Sequence, residues 1–97
     1  MHKIVFLPCA VKDIEETVDY LSQFYESTAV KKYDKILSSI ELLKYDPFLG
    51  TEFYRLNGYH YRKLVCEEYL IFYVIQDQIV EIHSIVNGRT DYLHKLI

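Results

Sequence analysis

The sequence predicts an α+β fold, a helical hairpin packed on one face of a mostly antiparallel sheet, in the order β-α-α-β-β-β-α. Three observations carry this. Two apolar stripes at helical spacing fill residues 11–44, three strand-like runs with very short joins fill 59–86, and EYLIFYVI (Glu68–Ile75) is apolar in both of its alternating sets. A half-exposed strand alternates apolar with polar, whereas one apolar on both sides needs two covers. A single helical hairpin supplies one.

Each element has a local cause. Lys3–Leu7 is a short apolar run ended by Pro8, which reads as a strand followed by a helix with proline in its first turn. Val11, Ile14, Val18, Leu21 and Tyr25 then recur at alternating steps of three and four, one helical stripe. Ser27 or Thr28 is expected to cap a second helix. Its stripe is Val30, Tyr33, Leu37 and Ile40, widened by Ile36 and Leu43 and fading at Lys44. So short a join makes the two helices an antiparallel pair, and both stripes are expected to be core. Tyr45-Asp46-Pro47 stops the second helix, because the residue before proline disfavours helical dihedrals. Phe48–Gly58 reads as a loop or ragged strand. Tyr59–Val65, Tyr69–Gln76 and Ile79–Val86 are three strands whose joins, Cys66-Glu67-Glu68 and Asp77-Gln78, force antiparallel hairpins. Asn87-Gly88 ends the last strand, and Thr90 or Asp91 caps a final helical turn through Leu93 and Leu96.

Composition bounds the function classes. The 97 residues make one domain, 1–97, with room for about one binding surface. At 51% hydrophobic and 26% charged, with 3 Gly and 2 Pro, the chain is globular without long linkers. Charges break every apolar run well short of the roughly 20 residues of a membrane span, and the N-terminal run is too brief for a signal peptide. A cytoplasmic protein with no membrane partner is expected. Cys9 and Cys66 lack CxxC spacing and read as two buried thiols. A net charge of -3 gives no support to a broad nucleic-acid footprint. No phosphate loop, metal-ligand cluster or Ser/His/Asp set is visible, so neither a cofactor nor a metal is expected. Ten Tyr and no Trp favour amphipathic rings at a surface that meets a partner.

A three-residue loop in the first hairpin and a two-residue loop in the second sort the side chains into two faces. Tyr61, Val65, Tyr69, Ile71, Tyr73, Ile75, Val80, Ile82 and Val86 then face the helices. His60, Arg62, Leu64, Leu70, Phe72, Val74, Ile79, Glu81, His83 and Ile85 face outward, with Arg62 beside Phe72 and His83, and His60 beside Val74 and Glu81. Lys63 points to the helices. An exposed apolar patch at Leu70, Phe72 and Val74 is a candidate partner site.

YRKLVCEEYLIFYVI, followed by IVEIHSIVNGRTDY, resembles the RelE/ParE superfamily of type II toxin-antitoxin toxins, of the plasmid-stabilisation type, over essentially the whole chain. The resemblance implies a growth-inhibiting toxin neutralised by a cognate antitoxin, whose otherwise disordered tail folds across the toxin's helices and sheet. Two activities occur in the superfamily. RelE-like members are described as ribosome-dependent mRNA endonucleases, which need cations and acid/base groups around the scissile phosphate. Here Arg62, His83, Arg89, Tyr92 and His94 are the candidates for that chemistry. Such nucleases usually carry arginine directly after the tyrosine of the third sequence strand, and Leu70 stands there. ParE-like members are described as DNA gyrase poisons, and YRKLV and YLIFY match that side more closely. On that reading Arg62, Leu70, Phe72, Val74, His83, Arg89 and Tyr92 contact the target or the antitoxin. A non-toxic protein-binding module is the third reading.

Overall fold

The computed structural model describes residues 1–23, 26–56 and 58–88. In chain order the elements are β1 (Lys3–Phe6), α1 (Pro8–Ser22), α2 (Glu26–Leu42), β2 (Thr51–Leu56), β3 (Tyr59–Cys66), β4 (Tyr69–Gln76) and β5 (Ile79–Asn87). The strands form one sheet in the order β1-β5-β4-β3-β2. β1 runs parallel to β5, and the other pairs are antiparallel. The α+β architecture is therefore as expected, with the ragged segment a true edge strand. The expected terminal helical turn, with Arg89, Tyr92 and His94, lies outside the described residues.

β1 enters α1 directly, with the Leu7 N–H donating to the Ile82 carbonyl at 3.0 Å and Pro8 opening the helix. Pro8 suits that position because the first helical N–H groups have no intrahelical partner. Neither Ser27 nor Thr28 holds the expected cap position: α2 already begins at Glu26, which places both in its first turn. Ala10, Ile36, Ile40 and Leu43 of the helical layer pack on Leu64, Cys66, Tyr69, Ile71, Tyr73, Val80, Ile82 and Ile85 of the sheet. Cys66 is buried there as expected, but Cys9, in the first turn of α1, is exposed.

Sheet register departs from the expectation in two places. The first hairpin turns through two residues, Glu67 and Glu68, because Cys66 pairs with Tyr69. Glu67 takes a left-handed backbone, φ 55°, which makes so tight a turn possible. One residue less in the loop moves every β3 side chain to the opposite face. Leu64 and Cys66 face the helices, and Tyr61 joins the second face. Arg62 pairs with Tyr73, and Lys63 with Phe72.

The second departure is a bulge in β5. Phe72 pairs with Ser84 but Tyr73 pairs with Ile82, so His83 is an extra residue. Alternation changes phase there, and Ile85 joins the helix-side core while Val86 joins the second face, the reverse of expectation. A bulge needs a partner for the groups it displaces. Asp13, on the buried side of α1, supplies one: its Oδ2 accepts the Ile85 N–H at 3.0 Å and the Ser84 hydroxyl at 3.1 Å.

The tight first turn is clamped to α2 by charge. Lys32 donates to Glu68 at 2.7 Å and to Glu67 at 3.4 Å, and Lys35 donates to Glu67 at 2.6 Å. The Lys35 bond, then that of Lys32, holds the Glu67 carboxyl below its ordinary value of 4.5, and the Lys32 bond does the same for Glu68. Lys32 is raised above 10.5, chiefly by Glu68. Carboxyls whose folded values are depressed stabilise the fold above their ordinary value and lose this as pH falls through the folded value. A raised lysine contributes below its ordinary value and stops contributing above its folded one.

Two outcomes are expected. Asp13→Ala leaves a buried N–H and a hydroxyl without their acceptor and costs about 2–4 kcal/mol, and Asp13→Asn about 1 kcal/mol, in urea unfolding at unchanged slope. Amide hydrogen exchange at residues 66–69 accelerates as pH drops below 4.5, after correction for intrinsic rates, and Lys32→Met abolishes that acid dependence.

Candidate functional site

The sheet's second face is not the bare patch expected from the sequence. Phe72 is 0% and Val74 3% exposed, clustered with Tyr61, Val86, Phe53 and Leu70. Phe53 is the extra residue of a bulge in β2, where Glu52 pairs with Arg62 and Tyr54 with Tyr61. Its ring lies 5.1 Å from that of Phe72, so the edge strand folds an aromatic over the middle of the face. Lys63 sits here too, its ammonium 5.1 Å from the Phe53 ring, rather than toward the helices. Leu70 remains half-buried and Val65 exposed.

Arg62 leaves this face altogether. Its guanidinium donates to the Gly50 carbonyl at 2.6 Å and the Phe48 carbonyl at 3.4 Å, and lies 5.1 Å from the Phe48 ring. The same loop is held by Tyr73, whose hydroxyl donates to the Pro47 carbonyl at 2.7 Å and accepts the Gly50 N–H at 2.9 Å. Any Cβ at Gly50 would fall 2.7 Å from both the Lys63 carbonyl and the Tyr73 hydroxyl, so only glycine fits. Arg62 therefore anchors the connection from α2 to β2 and does not sit beside Phe72 and His83. The one-residue register difference is the reason.

His83, expected to face outward, does so, and the β5 bulge places it in a polar string. Its Nε2 lies 3.2 Å from a Glu81 carboxylate oxygen and its Nδ1 3.0 Å from the Tyr61 hydroxyl. The rings of Tyr59 and Tyr61 meet the imidazole edge-on at 5.3 and 5.0 Å. A carboxylate only accepts, so Nε2 carries a proton, and in the neutral ring Nδ1 is then the acceptor for the Tyr61 hydroxyl. Burial, then Tyr59 and Glu81, push the Tyr61 hydroxyl up from 10.0. Of the sequence-predicted site residues, Leu70, Phe72, Val74 and His83 share this face, Arg62 does not, and Arg89, Tyr92 and His94 lie outside the described residues. Tyr61 and Glu81 complete the string; a three-residue loop in the first hairpin hides Tyr61 on the wrong face.

A second surface lies where the sequence predicts only core. Val11, Val30 and Tyr33 are 43, 54 and 36% exposed, because α1 and α2 turn Ala10, Asp13, Ala29 and Ile36 inward instead. The stripe residues line a trough between the helices. Its larger part, an open cavity of about 550 Å³, is walled by Ile14, Val18, Ala29, Val30 and Tyr33, with Glu15, Asp19 and Ser22 on the α1 rim. It continues through Ile14, Glu15 and Tyr33 into a cavity of about 280 Å³ reaching Phe6, Val11 and Leu37. The alanines are the signal in the sequence that points to it: they mark where a helix approaches its neighbours most closely, which leaves the larger apolar residues outside.

Residues 4–92 match the family model described as ParE toxin of type II toxin-antitoxin system, parDE. The chain belongs to the ParE toxin family. As such it is a toxin of a type II toxin-antitoxin system, with a cognate antitoxin as partner. A search of curated proteins finds no match. Among solved structures, the chromosomal ParDE system from P. aeruginosa superposes with a TM-score of 0.76 at 16% identity, over 90% of this chain and 96% of that one. The archaeal RelE-RelB complex from Pyrococcus horikoshii OT3 gives 0.64 at 14% identity over 92% and 98%. The YoeB dimer from Staphylococcus aureus gives 0.55 at 24% over 86% and 92%. These likenesses place the ParE-family chain in the wider RelE/ParE fold. Among the described residues, no group of His, Cys, Asp and Glu is arranged to hold a metal, and no helix is long and apolar enough to cross a membrane.

The hydrogen-bond direction in the string is testable. Imidazole ¹⁵N shifts at neutral pH are expected to report His83 protonated at Nε2 and bare at Nδ1, with the preference weakened in Glu81→Gln. An Nδ1-protonated ring would contradict the assignment.

Proposed function

We propose that this ParE-family toxin acts in the cytoplasm as a poison of DNA gyrase, held inactive by an antitoxin that folds over its helices and sheet. The observation that carries the gyrase reading is Leu70. It occupies the position where RNA-cutting members of the superfamily carry a phosphate-binding arginine, and its neighbours are apolar: Tyr61, Phe72, Val74 and Val86. Arg62 is committed to loop carbonyls, which leaves Lys63 as the described cation beside this cluster. In-line cleavage of a phosphodiester concentrates cations around the developing charge, and a single lysine over a phenylalanine ring is a poor start. Leu70 and Val65 offer a protein target apolar contact at the rim of this face. Arg89 and Tyr92 are further target or antitoxin contacts on this reading.

One observation favours the alternative, a ribosome-dependent mRNA endonuclease. Glu81, His83 and Tyr61 form a string able to pass a proton, as acid/base catalysis requires. Arg89, Tyr92 and His94 would then have to supply the missing cation and the leaving-group acid.

Inducing the chain alone is expected to arrest bacterial growth, with rescue by its antitoxin. Purified chain with gyrase and supercoiled plasmid is expected to give cleaved DNA in an ATP-containing reaction, while messages on ribosomes stay intact. Codon-positioned mRNA cuts with undamaged plasmid would instead establish the nuclease reading. Arg89→Ala is expected to lower gyrase-dependent cleavage at least tenfold.

A further inference from the structure

We propose that the turn at residues 46–49 and the cleft behind it form a docking surface for the toxin's protein target, which inserts a carboxylate flanked by apolar residues beside Arg62. This rests on the gyrase reading, and adds where the target is gripped and by what chemistry.

The surface is built before any partner arrives. The Leu49 N–H donates to the Asp46 carbonyl at 3.1 Å, closing a four-residue turn in which Pro47 pre-sets the backbone. Tyr73 and Arg62 hold the same turn from the sheet. Yet Phe48 and Leu49 within it, and Tyr45 just before it, are 66, 44 and 75% exposed. Single exposed apolar residues need no explanation, but three within five positions on a pinned turn form a patch. Aromatic groups held this way lose little freedom on binding, which makes them efficient anchors.

Charge says what the patch receives. Glu52 pairs with Arg62 across the strands and Arg62 with Tyr73, so these side chains share the helix-side face of the sheet. There Phe48, Glu52, His60, Arg62 and Ile75 line an open cleft of about 290 Å³. Among the described residues only the Nη2 of Arg62 has hydrogen-bond acceptors, and its Nε is buried without one. A guanidinium with donors to spare, walled by Phe48 and Ile75, fits a planar carboxylate. The rim carboxylate, Glu52, lies 3.8 Å from both His60 and Arg55, which offset it.

Other occupants fit less well. A nucleic-acid backbone is anionic along its whole length and would lie against the exposed Asp46 and Glu52. A second copy docked through this surface by two-fold symmetry would set guanidinium against guanidinium.

The test titrates gyrase, free of DNA, into the labelled full chain and scores plasmid cleavage in parallel. Phe48→Asp and Phe48→Ala/Leu49→Ala are each expected to raise Kd and to lower cleavage at least tenfold. Val30→Ser, exposed and near the opposite end of α2 from the turn, is expected to change both less than about threefold. Glu52→Gln removes the competing rim carboxylate and is expected to tighten binding about two- to fivefold, a gain that no folding defect produces. Wild-type values for both Phe48 variants, or no tightening in Glu52→Gln, overturn the inference while the gyrase reading stands. So does a loss confined to plasmid alone, to the antitoxin or to a second copy, which assigns the surface to that partner. If the wild type neither binds nor poisons gyrase, that reading and the inference fall together. Phe48 and Leu49 are exposed, and matching circular dichroism and unfolding midpoints exclude a folding defect as the cause.

Discussion

The interaction on which the two faces of the sheet depend is the acceptance of the Ile85 N–H and the Ser84 hydroxyl by one carboxylate oxygen of Asp13. A charged group this deep is costly unless it is hydrogen-bonded, and the groups it bonds belong to the one place where β5 changes phase. The arrangement therefore ties α1 to the sheet by direction as well as by apolar contact. On one side of the bulge, Val80 and Ile82 lie under the helices. Beyond it Ile85 takes over that role and Val86 turns to the second face.

Consequences reach both surfaces. The bulge sets His83 between Glu81 and Tyr61, so the second face carries a connected polar string beside a closed aromatic cluster rather than an open apolar sheet. Bending an extra Phe53 over Phe72 completes that closure from the other edge. On the helical side, Asp13 fixes the rotation of α1. With Ala10 and Asp13 turned inward, Val11, Ile14, Glu15, Val18 and Asp19 are left to border the trough. The helical layer thus carries exposed apolar surface around the trough, while on the second face Phe72 and Val74 are closed and Leu70 is only half-buried.

These features fit a family defined by a toxin and its antitoxin. The buried clusters hold the fold before any partner arrives, while the trough and its rim carboxylates remain for one. Arg62 illustrates how a residue type can mislead. An arginine near a sheet face invites a role with phosphate, yet here its Nη2 donates to the Gly50 and Phe48 carbonyls and its guanidinium lies over the Phe48 ring.

The sequence alone determined the opening strand, the helical hairpin, the strand pairings β3-β4 and β4-β5, and the inward set Tyr69, Ile71 and Tyr73, because periodicity and short joins are local properties, while Phe48–Gly58 read only as a loop or ragged strand. It also determined the resemblance to RelE/ParE toxins and the departure at Leu70. Only the tertiary structure decided the facing of β3, since a left-handed Glu67 removes one loop residue and reverses Tyr61, Arg62, Lys63 and Leu64 together. The phase change in β5 was equally invisible, because its cause, Asp13, lies 71 residues away along the chain from Ser84. Which side of the α1 stripe faces water is tied to the same long-range contact, which turns Asp13 inward. Spacing defines a stripe, but only packing against a specific sheet decides which of its edges is buried.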